Sequence, residues 1–289
     1  MTAQSTQLVH DLDGLRAVVA DWRHHGRSIA LVPTMGNLHD GHISLLERAR
    51  ELADRTVVSI FVNPIQFGKG EDYERYPSTL DADRARLEEA GLDLLFAPDL
   101  AQLYPGGTDD DTRVTVPPQL AGILCGAYRP GHFSGVATVV SKLFINAQPD
   151  IALFGEKDYQ QLLVIRRAAH DLCMAVEVQG MPTIREADGL AMSSRNGYLT
   201  AEQRAIAPLV YQVLTDAAAQ VSGDFSELPA IEAAASARLE QAGFRPEYFS
   251  VRRSADLAVP VPGDRSLRIL VAAWLGEARL IDNLAVELP

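Results

Sequence analysis

Two histidines, His39 and His42, are the residues of this chain whose spacing points most clearly to chemistry. They lie in the run Pro-Thr-Met-Gly-Asn-Leu-His-Asp-Gly-His at 33–42, after an apolar stretch at 29–32 and before an apolar-periodic stretch at 43–53. The pattern predicts a strand, a tight turn and a helix that has the second histidine in its first turn. N–H groups at a helix start favour a bound phosphate, and imidazoles there can donate hydrogen bonds as charge builds in a transition state.

A second cluster, Phe-Gly-Glu-Lys-Asp-Tyr-Gln-Gln at 154–161, lies where a predicted strand ends and a predicted helix begins. Ligands of open parallel sheets bind at this edge. Gly155 permits close backbone approach, and Lys157 supplies a cation suited to phosphate. Taken alone, Asp158 is also a good helix N-cap, and a lone lysine is more often a solvated surface residue.

A third cluster, Met-Ser-Ser-Arg-Asn at 192–196, follows a turn-prone stretch. Its two hydroxyls and guanidinium, on Ser193, Ser194 and Arg195, can bind a polyphosphate through charge-assisted hydrogen bonds. A plain loop is the alternative interpretation, and it is the favoured one for a bare Ser-Ser-Arg.

Weaker signals follow the second apolar run. Asn63 and Gln66 could orient a substrate carboxylate or hydroxyl, or could satisfy the backbone of a turn. The run Gly-Lys-Gly-Glu-Asp at 68–72, here called the lid segment, predicts a mobile loop and suggests a lid. The run at 129–133 places an arginine and a histidine before another predicted helix.

Four of these clusters fall at predicted strand ends, which brings histidine, lysine, arginine and hydroxyl groups together. The chain contains neither a Gly-x-x-x-x-Gly-Lys-Ser/Thr phosphate loop nor a Gly-x-Gly-x-x-Gly fingerprint. A nucleotide would therefore be held by the histidine motif and not by a glycine-rich loop.

Alternating strands and helices must position these clusters. Residues 29–62 have the size of one βαβ unit, and the nearly continuous apolar run at 56–62 is typical of a buried parallel strand. Further strands are predicted at 92–97, 150–154 and 175–178, and further helices at 81–90, 134–147 and 158–172. These units predict an α/β fold with a Rossmann-like, doubly wound, mostly parallel sheet.

The pattern changes after residue 184. Thr200 and Gln203 form a capping box for a helix to about residue 221, in which Pro208 marks either a kink or the restart of a shorter helix. A helix at 229–242 and strands at 248–252, 267–274 and 279–284 come next. We therefore predict a first domain at 1–184 and a smaller α+β domain at 185–289.

Composition narrows the class of protein. A formal net charge of −12 argues against a broad nucleic-acid surface, although a local cluster of cations can still bind a small anion. No stretch is apolar for long enough to cross a bilayer, and the first nine residues do not resemble a secretion signal. Cys125 and Cys173 lie far apart without metal-ligand spacing, which indicates reduced thiols in a cytoplasmic protein.

The run at 33–42 resembles the His-x-Gly-His signature of the nucleotidyltransferase superfamily, in the form that pantothenate synthetases (pantoate–β-alanine ligases) carry. The runs at 61–67, 129–133, 154–161 and 188–196 are similar to that family's remaining motifs, in the same order. The resemblance extends from about residue 29 to the Leu-Ile-Asp-Asn at 280–283. Five ordered motifs make it highly specific.

This resemblance implies a two-step, ATP-dependent reaction. The carboxylate of pantoate attacks the α-phosphate of ATP and gives pantoyl adenylate and pyrophosphate. The amine of β-alanine then attacks the activated acyl carbon and gives pantothenate and AMP. The first domain would hold ATP and pantoate, and the second would close over the site.

The resemblance also implies a role for each site residue. Gln66 and Gln161, with Asn63 beside them, would hold pantoate, and His42 would donate to the phosphate or the departing pyrophosphate. The implied catalytic residues are His42, His39, Lys157, Arg195, Ser193 and Ser194. The implied ATP contacts are Met35, Gly36, Asn37, Leu38, His39, Asp40, Gly41, His42, Gly155, Glu156, Lys157, Asp158, Ile184, Met192, Ser193, Ser194 and Arg195.

The acidic pair that the family resemblance associates with magnesium is only partly present in this chain. Some family members have two adjacent acidic residues that are implicated in magnesium binding, whereas this chain has Asp81-Ala82-Asp83 there. Asp83 is therefore a weak candidate ligand, and we expect magnesium to be bound chiefly through the ATP phosphates. A homodimer that binds neither nucleic acid nor membrane is the further expectation.

Two other functions stay open at this point. Another His-x-Gly-His enzyme could transfer adenylyl to a phosphorylated acceptor, but such proteins are usually a single smaller domain. A non-catalytic nucleotide-binding module would have a decayed site, yet His39, His42, Lys157 and Arg195 are all present.

Overall fold

A parallel sheet forms the first part of the chain. The computed structural model describes residues 6–68, 70–222 and 225–289. The strands of this sheet are β1 (Gln7–Val9), β2 (Ile29–Thr34), β3 (Arg55–Ile60), β4 (Leu94–Phe96), β5 (Ile151–Gly155) and β6 (Glu177–Met181). Their spatial order is β1-β4-β3-β2-β5-β6, and all pairs are parallel. The order reverses between β2 and β5, and the carboxyl ends of strands at such a reversal form a ligand-binding crevice.

Helices cover both faces of this sheet. They are α1 (Leu12–His24), α2 (Asp40–Leu52), α3 (Leu80–Glu89), α4 (Leu100–Leu103), α5 (Pro118–Ala121), α6 (Cys125–Tyr128), α7 (His132–Ala147) and α8 (Tyr159–Asp171). Side chains of β2 alternate between the two covers: Ile29 and Leu31 pack with α1, α7 and α8, whereas Ala30 and Val32 pack with α2 and α3. The doubly wound α/β fold is confirmed.

A smaller antiparallel sheet follows. Its elements are α9 (Ala201–Ile206), α10 (Leu209–Gln220), α11 (Leu228–Gln241), β7 (Arg245–Arg253), β8 (Ser266–Leu275) and β9 (Ala278–Glu287), and the strand order is β7-β8-β9. Leu267, Ile269 and Val271 on one face of β8 pack against α10 and α11. Leu270 on the other face joins the core of the parallel-sheet part, so the small sheet lies between its own helices and the first part of the molecule.

Most predicted elements are present, with ends shifted by a few residues. Pro208 separates two helices, since α9 ends at Ile206 and α10 begins at Leu209. Strand β1 and helix α1 were not predicted. Helix α1 has a clear start, because the carboxylate of its N-cap, Asp11, accepts a hydrogen bond from the backbone N–H of Gly14 at 2.6 Å.

The division predicted at residues 184 and 185 falls in the connection between β6 and α9, and it stays a prediction. Among the described residues, no helix is long and apolar enough to cross a membrane.

Candidate active site

A cavity of about 220 Å³ lies at the carboxyl ends of β2 and β5, beside the start of α2. It brings together most of the predicted residues: Met35, His39, Gly41, His42, Gln66, Gly155, Lys157, Asp158, Gln161, Ile184, Met192, Ser193, Ser194 and Arg195. The predicted residues outside its lining, within the described ranges, are Gly36, Asn37, Leu38, Asp40, Asn63, Asp83 and Glu156. Clusters distant in sequence therefore meet in one site.

The side chains of His39 and His42 both accept hydrogen bonds from backbone N–H groups at the start of α2. His39 is the N-cap, and its Nδ1 accepts a hydrogen bond from the backbone N–H of Gly41 at 3.2 Å. His42 Nδ1 accepts one from the backbone N–H of His39, also at 3.2 Å. An Nδ1 that accepts leaves the proton of a neutral imidazole on Nε2. Since both rings line the cavity, each has an Nε2–H donor for a ligand.

Burial keeps both imidazoles uncharged at neutral pH. Desolvation, together with nearby Lys157, lowers the pKa of His39 to about 4. Desolvation, together with the neighbouring His39, lowers the pKa of His42 to about 3. The ring centroids lie 4.1 Å apart, so a charge on one ring opposes a charge on the other. The site therefore has two neutral donors here and not two cations.

Asp83 anchors the turn that leads into α2. Its Oδ1 accepts from the backbone N–H of Leu38 at 2.8 Å, and its Oδ2 accepts from that of Asn37 at 2.8 Å. The Thr79 hydroxyl also donates to Oδ2, at 2.9 Å, and the residue is only 3% exposed. The structure thus gives Asp83 the part of an anchor for the turn, and its predicted role as a magnesium ligand stays a prediction.

The turn needs an unusual backbone. Gly36 and Asn37 have φ values of 83° and 50°, in the left-handed region that glycine and asparagine tolerate best. A Cβ at position 36 would lie 3.1 Å from Asp83 Oδ2 and 3.1 Å from Ile60 Cγ2. The Gly-Asn pair therefore allows the histidine motif to lie close against Asp83.

Asn63 holds Gln66 in place and does not reach the cavity. It is 1% exposed, and its amide nitrogen donates to Gln66 Oε1 at 3.1 Å and to the Gly135 carbonyl at 3.1 Å. Its amide oxygen accepts from the Tyr104 hydroxyl at 2.8 Å. Both protons of the amide and one acceptor position of its oxygen are therefore used within the protein. Asn63 thus lies beside Gln66 but outside the cavity lining, whereas Gln66 and Gln161 both line it, and its predicted part in holding pantoate stays a prediction.

Helix α7 lies directly against the turn that carries Gln66. A Cβ at Gly135 would lie 2.5 Å from the Ile65 carbonyl oxygen and 2.8 Å from Gln66 Cα. Burial lowers the pKa of His132 to about 3, so this ring is neutral. Its Nδ1 lies 2.7 Å from the Gln66 carbonyl oxygen and must be the donor. The turn is thereby fixed to the helix.

Two arginines fasten the lid segment. Glu71 accepts from Arg129 Nε at 2.7 Å and Nη2 at 2.6 Å, and Asp72 accepts from Arg195 Nε at 3.0 Å and Nη2 at 2.9 Å. Lys69 lies outside the described residues. The segment borders a second cavity of about 480 Å³, which shares Lys157, Asp158, Ser193 and Arg195 with the first.

The Ser-Ser-Arg loop reaches the histidine motif from the other side. Ser194 Oγ donates to the Asn37 carbonyl at 3.0 Å. Lys157 is largely buried, with Nζ 3.8 Å from Asp158 Oδ2. Asp158 stands at the N-cap of α8, but its carboxylate makes no capping hydrogen bond within the described chain, so the simple N-cap interpretation does not hold.

Some lining residues were not predicted. They include Tyr76 and an apolar wall formed by Phe61, Val136, Val139, Val140, Leu143 and Phe154. The apolar residues of α7 have the periodicity of an ordinary core helix, so no sequence signal separates those that face the cavity. Tyr76 follows the lid segment closely in sequence, and this proximity is a signal that could have identified it as a site residue.

Known proteins resemble this chain over almost its whole length. The model of the pantoate-beta-alanine ligase family matches residues 7–285. The chain is 56% identical over 274 residues to the pantothenate synthetase of Azotobacter vinelandii, a match that covers 95% of this chain and 96% of the relative.

Solved structures match over a similar length. The pantothenate synthetase of Thermus thermophilus superposes with a TM-score of 0.89 at 48% identity, covering 96% of this chain and 99% of that one. The pantoate-beta-alanine ligase of Francisella tularensis, complexed with beta-gamma ATP and beta-alanine, gives a TM-score of 0.81 at 34% identity, with 97% of each chain covered.

Proposed function

Because this chain belongs to the pantoate–β-alanine ligase family, we propose that its cavity activates pantoate as an adenylate before β-alanine attacks. The activity itself is that of an ATP-dependent ligase that condenses pantoate with β-alanine to give pantothenate. The adenylate route rests on one observation above all: two neutral Nε2–H donors at a helix start share a cavity with Lys157 and Arg195.

The first step places new negative charge on the phosphorus centre and on pyrophosphate. The capped start of α2 has a partial positive charge, and His39 and His42 donate through Nε2–H without the cost of holding two buried cations beforehand. As pyrophosphate departs, Lys157 and Arg195 supply full positive charge. Groups fixed before the reaction are the most effective at stabilising such charge.

Pantoate would lie between polar and apolar walls. Gln66 and Gln161 supply amide groups for its carboxylate and hydroxyls, while Val139 and Val140 contact its hydrocarbon part. This arrangement holds the carboxylate oxygen in line with the α-phosphate and lowers the entropic part of the barrier.

The second step needs no protein nucleophile. The amine of β-alanine attacks the acyl carbon, AMP departs as a good leaving group, and the amine gives up a proton. The chief hazard is water, since a mixed anhydride hydrolyses. We assign its exclusion to the lid segment, which Glu71 and Asp72 tie to Arg129 and Arg195 across the second cavity.

The donor set offers little to a protein-held magnesium ion. Among the described residues there is no group of three His, Cys, Asp or Glu side chains placed to hold a metal, and Asp83 is engaged with the turn. We propose that magnesium enters with the ATP phosphates and that this chain's residues bind the complex. The homodimer and the cytoplasmic location stay predictions.

An AMP-release assay with each substrate omitted in turn tests the proposed route. ATP and pantoate alone should give pyrophosphate and an enzyme-bound adenylate, and AMP should appear at the full rate only when β-alanine is added. Release of AMP without a pantoate requirement, or pyrophosphate formation that needs β-alanine, would contradict the adenylate order.

A further inference from the structure

We propose that Asp282 and Asn283, adjacent residues of β9, are positioning residues that hold both phosphate-binding loops of the site. The inference rests on the proposed function of those loops. Both side chains are buried, at 4% and 3% exposure. Successive side chains of a strand point to opposite faces, so two neighbours can hold two different loops at once.

Asn283 holds the loop that carries Lys157. Its amide nitrogen donates to the Glu156 carbonyl at 2.8 Å and to the Lys157 carbonyl at 2.9 Å. Its amide oxygen accepts from Arg268 Nη1 at 2.9 Å. The amide can stand only this way round, because a flipped group would put its oxygen against two carbonyls and its nitrogen against a guanidinium.

Arg268 braces the same loop from below. Its Nη2 lies 3.1 Å from Glu156 Oε2, and its guanidinium carbon lies 3.7 Å from the centre of the Tyr159 ring. Strand β8, which carries Arg268, and strand β9, which carries Asn283, therefore fix the backbone on which Lys157 stands.

Asp282 holds the loop that carries Arg195. Its two carboxylate oxygens accept from Arg185 Nη1 at 2.6 Å and Nη2 at 2.9 Å. Arg185 Nη1 also donates to the Gly189 carbonyl at 3.1 Å, and position 185 pairs with Ala191 in an isolated antiparallel bridge. This small hairpin delivers Ser193, Ser194 and Arg195 to the cavity.

The two anchors are themselves joined, since Asp282 Oδ1 accepts from the backbone N–H of Asn283 at 2.7 Å. The Lys157 loop belongs to the parallel-sheet part, and the Ser-Ser-Arg loop comes after it. A single dipeptide of the small sheet thus sets the separation of the two cationic groups that the triphosphate must meet together.

The test is Asn283→Asp, which keeps the acceptor for Arg268 but replaces the donor that faces two carbonyls. The rate of pantoate-dependent pyrophosphate release should fall about a hundredfold, the scale expected of a misplacement near 1 Å. The KM for ATP should rise, whereas the KM for pantoate, held by Gln66 and Gln161, should change less than about threefold, since its contacts are left in place. Asn283→Ser retains one donor, so its rate of pyrophosphate release should lie between those of the wild-type chain and Asn283→Asp.

Asn146→Asp is the matched control. Asn146 is also buried, accepts from Arg16 Nε at 2.9 Å and donates to the Lys142 carbonyl at 2.7 Å, but it lies outside the cavity lining. Asn146→Asp can lower the thermal stability of the protein, but the folded variant should keep the full rate of pyrophosphate release. If Asn283→Asp does not fold, Asn283→Ser is judged by the same criteria.

The outcomes are distinct. A folded Asn283 variant with near-normal pyrophosphate release, or one whose KM for pantoate rises as much as that for ATP, overturns the positioning role. Equal losses in the Asn283 and Asn146 variants would also overturn it. A wild-type chain that releases no pyrophosphate from ATP and pantoate would instead contradict the proposed function.

Discussion

The histidine turn at 34–42 and the lid segment at 68–72 belong to one site but are held by different forces. In the histidine turn, side-chain atoms of His39, His42 and Asp83 accept hydrogen bonds from backbone N–H groups, and both rings are neutral. The lid segment is fixed by two ion pairs, Glu71–Arg129 and Asp72–Arg195, whose members lie 58 and 123 residues apart in sequence.

This difference separates a fixed part of the site from a part that ATP can rearrange. The side chains that hold the histidine turn are two neutral imidazoles and one carboxylate, so a phosphate does not compete there with another anion for a cation. Arg195 in contrast is bound by a carboxylate, and a triphosphate offers the same guanidinium a competing anion. We therefore expect the histidine turn to be ready before ATP arrives and the lid contacts to change when it binds.

The largest effect should come from the fixed part. His42→Ala removes an Nε2–H donor and should cost about 2.7–4 kcal/mol of transition-state stabilisation, a hundred- to thousandfold in rate. Single-turnover pyrophosphate release measures it, with circular dichroism as the check of folding. Near-normal pyrophosphate release by a folded variant would contradict the assignment of His42 as a donor.

Arg195 tests the rearranging part. Arg195→Ala should slow adenylate formation by roughly ten- to hundredfold, the scale of a lost charged hydrogen bond. Arg195→Lys should recover only part of this rate, because lysine keeps the charge but loses the planar fork. If lysine restores the full rate in single-turnover experiments, Arg195 acts as a point charge.

Asp83→Asn asks whether the histidine turn depends on its anchor. The amide cannot accept from both backbone N–H groups, and a buried unpaired donor costs about 1–3 kcal/mol in unfolding free energy. Urea unfolding measures this loss, and the KM for ATP should rise with it. Asp81→Asn, at an exposed position of the same helix, is the control, and equal losses in both variants would contradict the anchor.

Acid should weaken the fixed part through its neutral rings. The pKa values of His39, His42 and His132 lie at about 4, 3 and 3, below the ordinary value of 6.5. Between pH 6.5 and these lowered pKa values, the unfolded chain binds more protons than the folded chain. The contribution of the three neutral rings to the free energy of unfolding is therefore fully present above pH 6.5 and is lost as pH falls towards 3. The loss should reach about 1–2 kcal/mol per ring by pH ~5.

Proton NMR of the three rings provides the direct measurement. Their ring signals should not titrate between about pH 8 and 5.5, whereas free histidine in the same sample should titrate near 6.5. A midpoint near 6.5 for His42 would contradict the neutral-donor picture.

The smallest effect should come from one lid contact. Glu71→Gln removes a partly buried ion pair worth about 0.2–1 kcal/mol, so AMP release without β-alanine should rise by a factor of roughly 1.5–5. Asp256→Asn breaks the Arg253–Asp256 pair, which lies outside the cavity lining. This control should leave AMP release as dependent on β-alanine as in the wild-type chain. If AMP release by the Glu71 variant still depends fully on β-alanine, the segment is an ordinary surface loop and not a lid.

The sequence predicted the fixed part better than the rest. The parallel strands, the helix start at His39 and the break at Pro208 depend on local pattern, and local pattern is visible in one chain. The ion pairs of the lid segment and the anchors at Asp83 and Asn283 depend on contacts between distant residues. No spacing rule signals such contacts, which is why the sequence does not reveal that Asn63 holds Gln66 or that Asp83 holds the histidine turn.

Since Gly135 leaves no space between α7 and the turn that carries Gln66, that turn moves only with the helix. We therefore expect any hinge of the lid segment to lie after Gln66 in the sequence. Gln66 would then keep its position against α7 while the lid segment moves. An acid bound to that glutamine can be seated before the site shuts and can keep its place when pyrophosphate leaves. We therefore expect pantoate to bind before the lid segment closes, because the absence of a side chain at position 135 lets α7 hold the turn of Gln66 in place.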